Sequence, residues 1–296
     1  MSQAHLARKG ALFVFLSAAT WSFGGAIARY LSTTDSFAVI FWRSLFAALF
    51  LAGFMWWRDG IAKSISSIKA MGLPGLGVAS CFVVASMSFV TALNYTTVAN
   101  VLLMQAGTPL LAALGSWLLF REKVSMPTWL AIFTVMFGVG VMVKDSLTGQ
   151  ISPIGDGLAL LIAIAFACST VIARRNSHID MQPAVFVGCL LAMSIAATQV
   201  KSFSMIGSDY ILLFTFGALN LGLGLAFYAA GVRLVPSAVG ALIGTAEPVL
   251  GPIWVWLAHD EIPSKSTMVG GSIVFAALLL HVLWQLYQSR TTPEKI

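Results

Sequence analysis

Charge is what this sequence lacks most: Asp, Glu, Lys and Arg make up only 9% of its 296 residues, too few to solvate a soluble domain of that length. Cysteine is scarce as well. Cys81, Cys168 and Cys189 all fall within apolar runs, so they read as small buried hydrophobes and no disulfide framework is expected. His5, His178, His259 and His281 are scattered near loops or ends without metal-ligand spacing, so no metal site is expected. No Gly-x-x-x-x-Gly-Lys phosphate loop is present, which argues against ATP hydrolysis by this chain, and no cofactor is implied. A Gly-x-Ser-x-Gly nucleophile motif in a strand–turn–helix setting is also missing. The net charge of +6 is spread over short connections rather than gathered on a face, so no nucleic-acid partner is expected.

What is present is apolar. Hydrophobic residues make up 58% of the chain and the mean hydropathy is +0.90. They form ten runs, at 10–30, 36–57, 70–93, 97–119, 126–143, 153–175, 182–201, 208–231, 236–257 and 264–286. Each is about long enough to cross a ~30 Å hydrocarbon core, which takes roughly 20 helical residues. The runs are continuous rather than alternating, which excludes a membrane β-barrel. The predicted fold is therefore an all-α membrane protein of ten transmembrane helices in the lipid bilayer. Arg8 and Lys9 followed by apolar residues resemble a signal peptide, with Ala26-Ile27-Ala28 as a candidate cleavage site. The run is a full span and nine more follow, so an uncleaved first helix is preferred. Twelve Lys and Arg residues fall on one side of this topology, and four (Arg29, Lys144, Lys201 and Lys265) on the other. That asymmetry predicts cytoplasmic N- and C-termini.

The segments Ala99 to Val124 and Ala238 to Pro263 align at a constant offset of 139 residues: Pro109 with Pro248, Trp117 with Trp256, Leu118 with Leu257, Glu122 with Glu261. Ile27-Ala28-Arg29 and Ile172-Ala173-Arg174 match at an offset of 145. The chain thus divides into a first five-helix repeat, 1–143, a linker, 144–152, and a second repeat with its tail, 153–296. Five is odd, so the second repeat enters the membrane in inverted orientation, the plan of many secondary transporters.

The pattern Ala99…Pro109…Arg121-Glu122…Gly138-Val139-Gly140, echoed by Ala238…Pro248…Asp260-Glu261…Gly270, resembles the drug/metabolite transporter superfamily, most closely its ten-helix EamA-type exporters. Trp21 and Arg43 also stand where those proteins usually carry Trp and Arg. Phe120-Arg121-Glu122 and His259-Asp260-Glu261 depart from the usual Leu-Gly-Glu, and Ala131 replaces a common Gly. The resemblance implies export of amino acids, related metabolites or drugs from a bacterial cytoplasm across the inner membrane.

Charged groups inside a bilayer cost at least ~2.5 kcal/mol each on insertion scales, so Arg43 and Glu247 are candidate site residues. Glu247 falls near the midplane of span 9 and shares a helical face with Gly240, Gly244 and Gly251. It reads as a site for a substrate ammonium or a proton, or as a structural partner of an Arg or hydroxyl. Arg43 is more simply a pinning group. Thr108 is the repeat equivalent of Glu247, each just before a proline, and Pro109 and Pro248 free the carbonyls of Gln105 and Gly244 as a kink or gate. The stripes Asn100–Met104–Thr108 and Asn220–Gly224–Tyr228 repeat every four residues. With mid-span Trp21, and with Tyr95 and Gln105, they complete the candidate cavity. The expected function is a secondary transporter that exports small metabolites, neutral or aromatic amino acids first among them, across the inner membrane by alternating access. A multidrug or nucleobase exporter of the same fold, and an intramembrane lipid-modifying enzyme, stand as alternatives, and a monomer is expected to suffice.

Overall fold

The computed structural model describes residues 3–121, 124–147 and 152–291, and among them every regular element is helical. Glu122 and Lys123, linker residues 148–151 and the tail beyond Thr291 lie outside the described residues, so the expected match of Glu122 with Glu261 does too. In chain order the helices are α1 (Gln3–Ser22), α2 (Gly24–Tyr30), α3 (Ser36–Asp59), α4 (Ile61–Ala70), α5 (Gly72–Ala92), α6 (Val98–Ala106), α7 (Thr108–Phe120) and α8 (Met126–Leu147). Then follow α9 (Pro153–Arg175), α10 (Gln182–Ala197), α11 (Gly207–Phe214), a π-helical stretch (Thr215–Leu223), α12 (Gly224–Val232), α13 (Ser237–Gly244), α14 (Ala246–His259) and α15 (Lys265–Thr291).

Among the described residues eight stretches are long and apolar enough to cross a membrane, counting α1–α2, α11–α12 and most of α13–α14 each as one. The pair α6–α7 meets that test jointly but bends by 43° at Gly107. The remaining apolar helix, α10, has 16 residues. It stops at Ala197 instead of the expected 201, because the N–H groups of Thr198, Gln199 and Val200 turn back onto the carbonyls of Ile195 and Ala196. A second difference is α4. The expected third span began at residue 70, whereas Gly60 (φ 78°) and Gly72 (φ 54°) adopt left-handed backbone and cut out a separate short helix before it. Ile61 and Ile65 are exposed one turn apart on α4, beside exposed Trp56 and Trp57 at the end of α3, and Lys63 and Lys69 follow. Such a mixture suits the membrane–water boundary.

Among the described residues two non-glycine residues take positive φ: Arg121 (φ 54°) ends α7 and Asp260 (φ 52°) ends α14. They stand at equivalent positions of the sequence repeat. Their N–H groups cap the helices in the same way, on the carbonyl of Trp117 at 2.9 Å and of Trp256 at 3.0 Å.

Close packing rests on small residues, as helix association in lipid requires. Where α8 crosses α15, a Cβ on Gly138 would stand 2.8 Å from the Gly270 carbonyl oxygen, and one on Gly270 would overlap the Gly138 carbonyl. Gly140, of the same Gly-Val-Gly motif, faces open space. At one end of the bundle Arg29, the last turn of α2, ties together segments far apart in the chain. Its Nε donates to Glu261 Oε2 at 2.8 Å, Nη2 to the Thr96 carbonyl at 2.9 Å, and Nη1 to the Leu93 carbonyl. Glu261 Oε1 in turn accepts from the Val98 N–H at 2.7 Å, at the start of α6.

Gly270→Val should lower the unfolding midpoint in detergent, at a cost on the order of 2 kcal/mol, because a backbone carbonyl cannot step aside. Gly140→Ala should leave it unchanged. Equal midpoints for the two would show that the crossing does not limit stability. Glu261→Ala should cost about 2 kcal/mol, since it strands both Arg29 and the Val98 N–H, measured by the same unfolding assay.

Candidate substrate site at the helix breaks

The first apolar run is broken at Phe23, between α1 and α2. Side chains gather on this break. Asn220, in the π-helical stretch, donates through Nδ2 to the Thr20 carbonyl at 2.6 Å and the Trp21 carbonyl at 3.2 Å. Ser22 Oγ bonds the Ala19 carbonyl at 2.7 Å and accepts from Trp254 Nε1 at 2.9 Å, while the Phe23 and Trp254 rings stack at 4.7 Å.

The whole Asn220–Gly224–Tyr228 stripe addresses Trp21. Asn220 holds its main chain. Gly224 leaves room for its indole, since a Cβ there would overlap Nε1 and Cδ1. Tyr228 lies against its ring with centroids 5.7 Å apart and planes tilted by 37°. The Trp21 indole N–H is buried and has no hydrogen-bond partner among the described residues.

The other two breaks lie at Gly107 and Thr245, two and three residues before Pro109 and Pro248. A proline at the first turn tolerates its missing donor, so each break precedes its proline and starts a new helix instead of merely kinking one. Thr245 secures its own break by donating from Oγ1 to the Leu242 carbonyl at 2.6 Å. At the first break two polar atoms are buried without partners, Gln105 Nε2 and Thr108 Oγ1.

Glu247, in the first turn of α14, makes no hydrogen bond or ion pair among the described residues. Of its glycine stripe, Gly251 packs tightly, with Leu102 and the Ser22 carbonyl against its α-carbon, whereas Gly244 has nothing within 4 Å of an added Cβ. The face is closed on one side of Glu247 and open on the other. Contacts also set its level. Glu261, just past α14, meets Val98 at the start of α6, and Gly251 meets Leu102, so α6 and α14 run antiparallel. One turn on from that crossing, Gln105 and Glu247 stand at the same level, and Trp21 precedes the Ser22 that touches Gly251. Trp21, Gln105 and Glu247 thus fall at about one level of the bundle, with Tyr228 against the Trp21 ring and Thr108 opening the helix after Gln105.

Other expected cavity residues are engaged elsewhere. Asn100 is buried at the start of α6, where Nδ2 bonds Asp156 Oδ1 and, at 3.1 Å, Thr96 Oγ1, and Oδ1 accepts from Thr267 at 3.4 Å. Tyr95 is exposed in the turn after α5. Arg43 sits in a separate cluster, donating to Ser86 Oγ at 3.0 Å with its guanidinium 4.3 Å from the Phe216 ring centre and 5.7 Å from that of Phe89. No carboxylate pairs with it among the described residues. Sequence spacing could not separate these from the site, because a polar residue facing inward has the same period whether it meets a neighbour or a cavity. Ser22 was the residue overlooked as a site component, whereas Gly224 already stood in the stripe with Asn220 and Tyr228.

Comparison with known proteins follows the same outline. The profile of the EamA-like transporter family matches residues 8–144 and again 153–283. The chain is similar to an uncharacterized inner membrane transporter of Salmonella typhimurium, YicL, 24% identical over 82% of this chain and 84% of that protein. It is 23% identical to an S-adenosylmethionine uptake transporter of Rickettsia prowazekii over 91% of each. The pseudopaline exporter CntI of Pseudomonas aeruginosa is 21% identical over 93% of this chain and 96% of its own. A protein of known crystal structure shares the fold with a TM-score of 0.67, at 16% identity, over 94% of this chain and 98% of its own. With most of its length matched twice by one profile, the chain belongs to the EamA-like transporter family and is a multi-pass membrane transporter, not an enzyme.

Proposed function

We propose that the chain crosses the bacterial inner membrane ten times, as two inverted repeats of five helices with both termini cytoplasmic, and exports neutral or aromatic amino acids by alternating access as a monomer. Support for the repeat comes from the paired profile matches and from the matched left-handed caps at Arg121 and Asp260. With ten crossings, α4 lies at the cytoplasmic boundary and the bent pair α6–α7 and the short α10 each make one span. The linker at 144–152 then joins the two halves.

One observation carries the substrate reading: two unpartnered donors, Trp21 Nε1 and Gln105 Nε2, near one unpaired carboxylate, Glu247. Buried polar atoms without partners each cost about 1–3 kcal/mol, so their concentration at one level calls for a ligand of complementary pattern. An α-amino carboxylate is such a ligand. Its carboxylate accepts from Trp21 and Gln105, its ammonium meets Glu247, and an apolar or aromatic side chain lies along the Trp21–Tyr228 rings. Thr108 adds a hydroxyl at the first break, and the proline breaks at Pro109 and Pro248 supply the joints at which half-helices reorient. Arg43, Asn100 and Tyr95 take structural parts in this reading. The relatives named for S-adenosylmethionine and for pseudopaline fit a polar-headed metabolite, though one is named for uptake and the other for export. A multidrug or nucleobase exporter of the same fold is the second reading, favoured by the unpaired Glu247, which suits a drug cation equally well.

Counterflow of a radiolabelled amino-acid panel in proteoliposomes, with and without a pH gradient, tests the substrate. Saturable counterflow of one chemical group supports it, and a folded protein that moves none turns the assignment to drugs or nucleobases. Glu247→Gln should stay folded and lower counterflow by about tenfold to a hundredfold, the scale of one charge-assisted hydrogen bond, or abolish its pH dependence. Wild-type rates and pH profile in that variant would remove Glu247 from the site.

A further inference from the structure

The π-helical stretch Thr215–Leu223 interrupts an otherwise regular run from α11 to α12. Such i→i+5 turns are rare and widen the helix locally, displacing side chains from where an α-helix would carry them. Asn220 lies within the stretch and is 5% exposed. Both hydrogens of its Nδ2 are engaged, by the Thr20 carbonyl at 2.6 Å and the Trp21 carbonyl at 3.2 Å. Its Oδ1 is turned to Gly24, where an added Cβ would approach to 3.1 Å. The side chain therefore has no donor left to offer a substrate, in contrast to the free N–H of Trp21 beside it.

Trp21 is held at three places by one helix. Its main chain hangs on Asn220, the Nε1 side of its indole packs against Gly224, and its ring meets Tyr228 at 5.7 Å. Two glycines make this possible: Gly24 admits the Asn220 amide and Gly224 admits the indole. On the far side of the stretch Phe216 and Gly217 are anchored on α3, Phe216 beneath the Arg43 guanidinium and Gly217 against the Arg43 carbonyl. The widened turn is thus clamped between α3 and the α1–α2 break, and it delivers Asn220 to that break.

We infer that Asn220 is a positioning residue: seated on the π-helical turn, it holds the α1 break and thereby aims the Trp21 indole into the site, without itself contacting substrate. Its importance for transport rests on the reading of Trp21 as a wall of that site, but the placement itself can be measured without any substrate.

The protein labelled with 5-fluorotryptophan carries nine indoles, and the ¹⁹F resonance lost in Trp21→Phe identifies Trp21 while the other eight serve as internal controls. In Asn220→Leu, which keeps the shape and removes both donors, the Trp21 resonance should move and broaden while most of the others keep their positions. Asn220→Ser, smaller and able to reach one carbonyl at most, covers the case in which the leucine variant does not fold, and should give a partial displacement. A Trp21 resonance at its wild-type position in either folded variant overturns the inference. Counterflow of labelled L-phenylalanine on the same proteins keeps the two readings apart. If Trp21→Phe raises KM about tenfold, Asn220→Leu should do the same, and the double variant should be no worse than either, because both act through one indole. Additive losses would mean that Asn220 acts separately and would overturn the inference. Absence of counterflow by the wild type counts against amino acids alone, and the resonance then decides the placement of Trp21.

Discussion

Hydrocarbon offers no hydrogen bonds, and the architecture follows from that shortage. An unbroken helix satisfies its own backbone, but this chain breaks its helices at Phe23, Gly107 and Thr245, and widens one at Thr215–Leu223. Other elements must then supply partners. Asn220 reaches across to the carbonyls of Thr20 and Trp21, and Thr245 bonds back to Leu242. At the end of the bundle Arg29 takes the carbonyls of Leu93 and Thr96, and Glu261 takes the Val98 N–H. Except for the local Thr245–Leu242 bond, these join residues far apart in the chain, so they fix which helices are neighbours.

Packing between those neighbours follows a related logic. Lipid tails are as apolar as leucine, so helices gain little from hiding apolar surface and associate by close contact instead. Hence the glycine crossings, Gly138 on Gly270, Gly25 on Val98 and Gly251 on Leu102. Arg43 shows the cost of a charge in such a setting: its guanidinium is surrounded by the Phe216 and Phe89 rings and one serine hydroxyl. That environment makes it an anchor for the widened turn.

Transport needs polar groups that are buried yet available. The interior polar residues of this protein fall into two kinds on that criterion. Asn100, Arg29 and Asn220 have their hydrogen-bonding capacity engaged within the protein. Trp21, Gln105, Thr108 and Glu247 do not, and they lie next to the helix breaks, while Ser17 Oγ, Arg43 Nε, Gln182 Nε2 and His281 Nδ1 are single unpartnered groups in other places. A break weakens the ladder locally and gives half-helices room to reorient, so the same positions serve recognition and movement.

Membrane class, helical content, the positions of Pro109 and Pro248, and the family pattern were all legible from the chain, because hydropathy, helix length and proline chemistry are properties of short segments. The shared face of Glu247 and Gly251 was legible too, since 3.6-residue periodicity is local, whereas the break at Thr245 puts Gly240 and Gly244 on the separate helix α13. Tertiary structure alone decided the rest. It separated α4 from the third span through two left-handed glycines, shortened α10, and turned the stripe of Asn220, Gly224 and Tyr228 into a cradle for Trp21. It also engaged Asn100 with Asp156, left Tyr95 exposed in the turn after α5 and gave Arg43 its aromatic surroundings. A polar side chain carries no mark in the sequence of whether its partner is a residue two hundred positions away or a ligand. Only the folded bundle, by bringing those partners together or leaving them absent, distinguishes a structural group from a binding one.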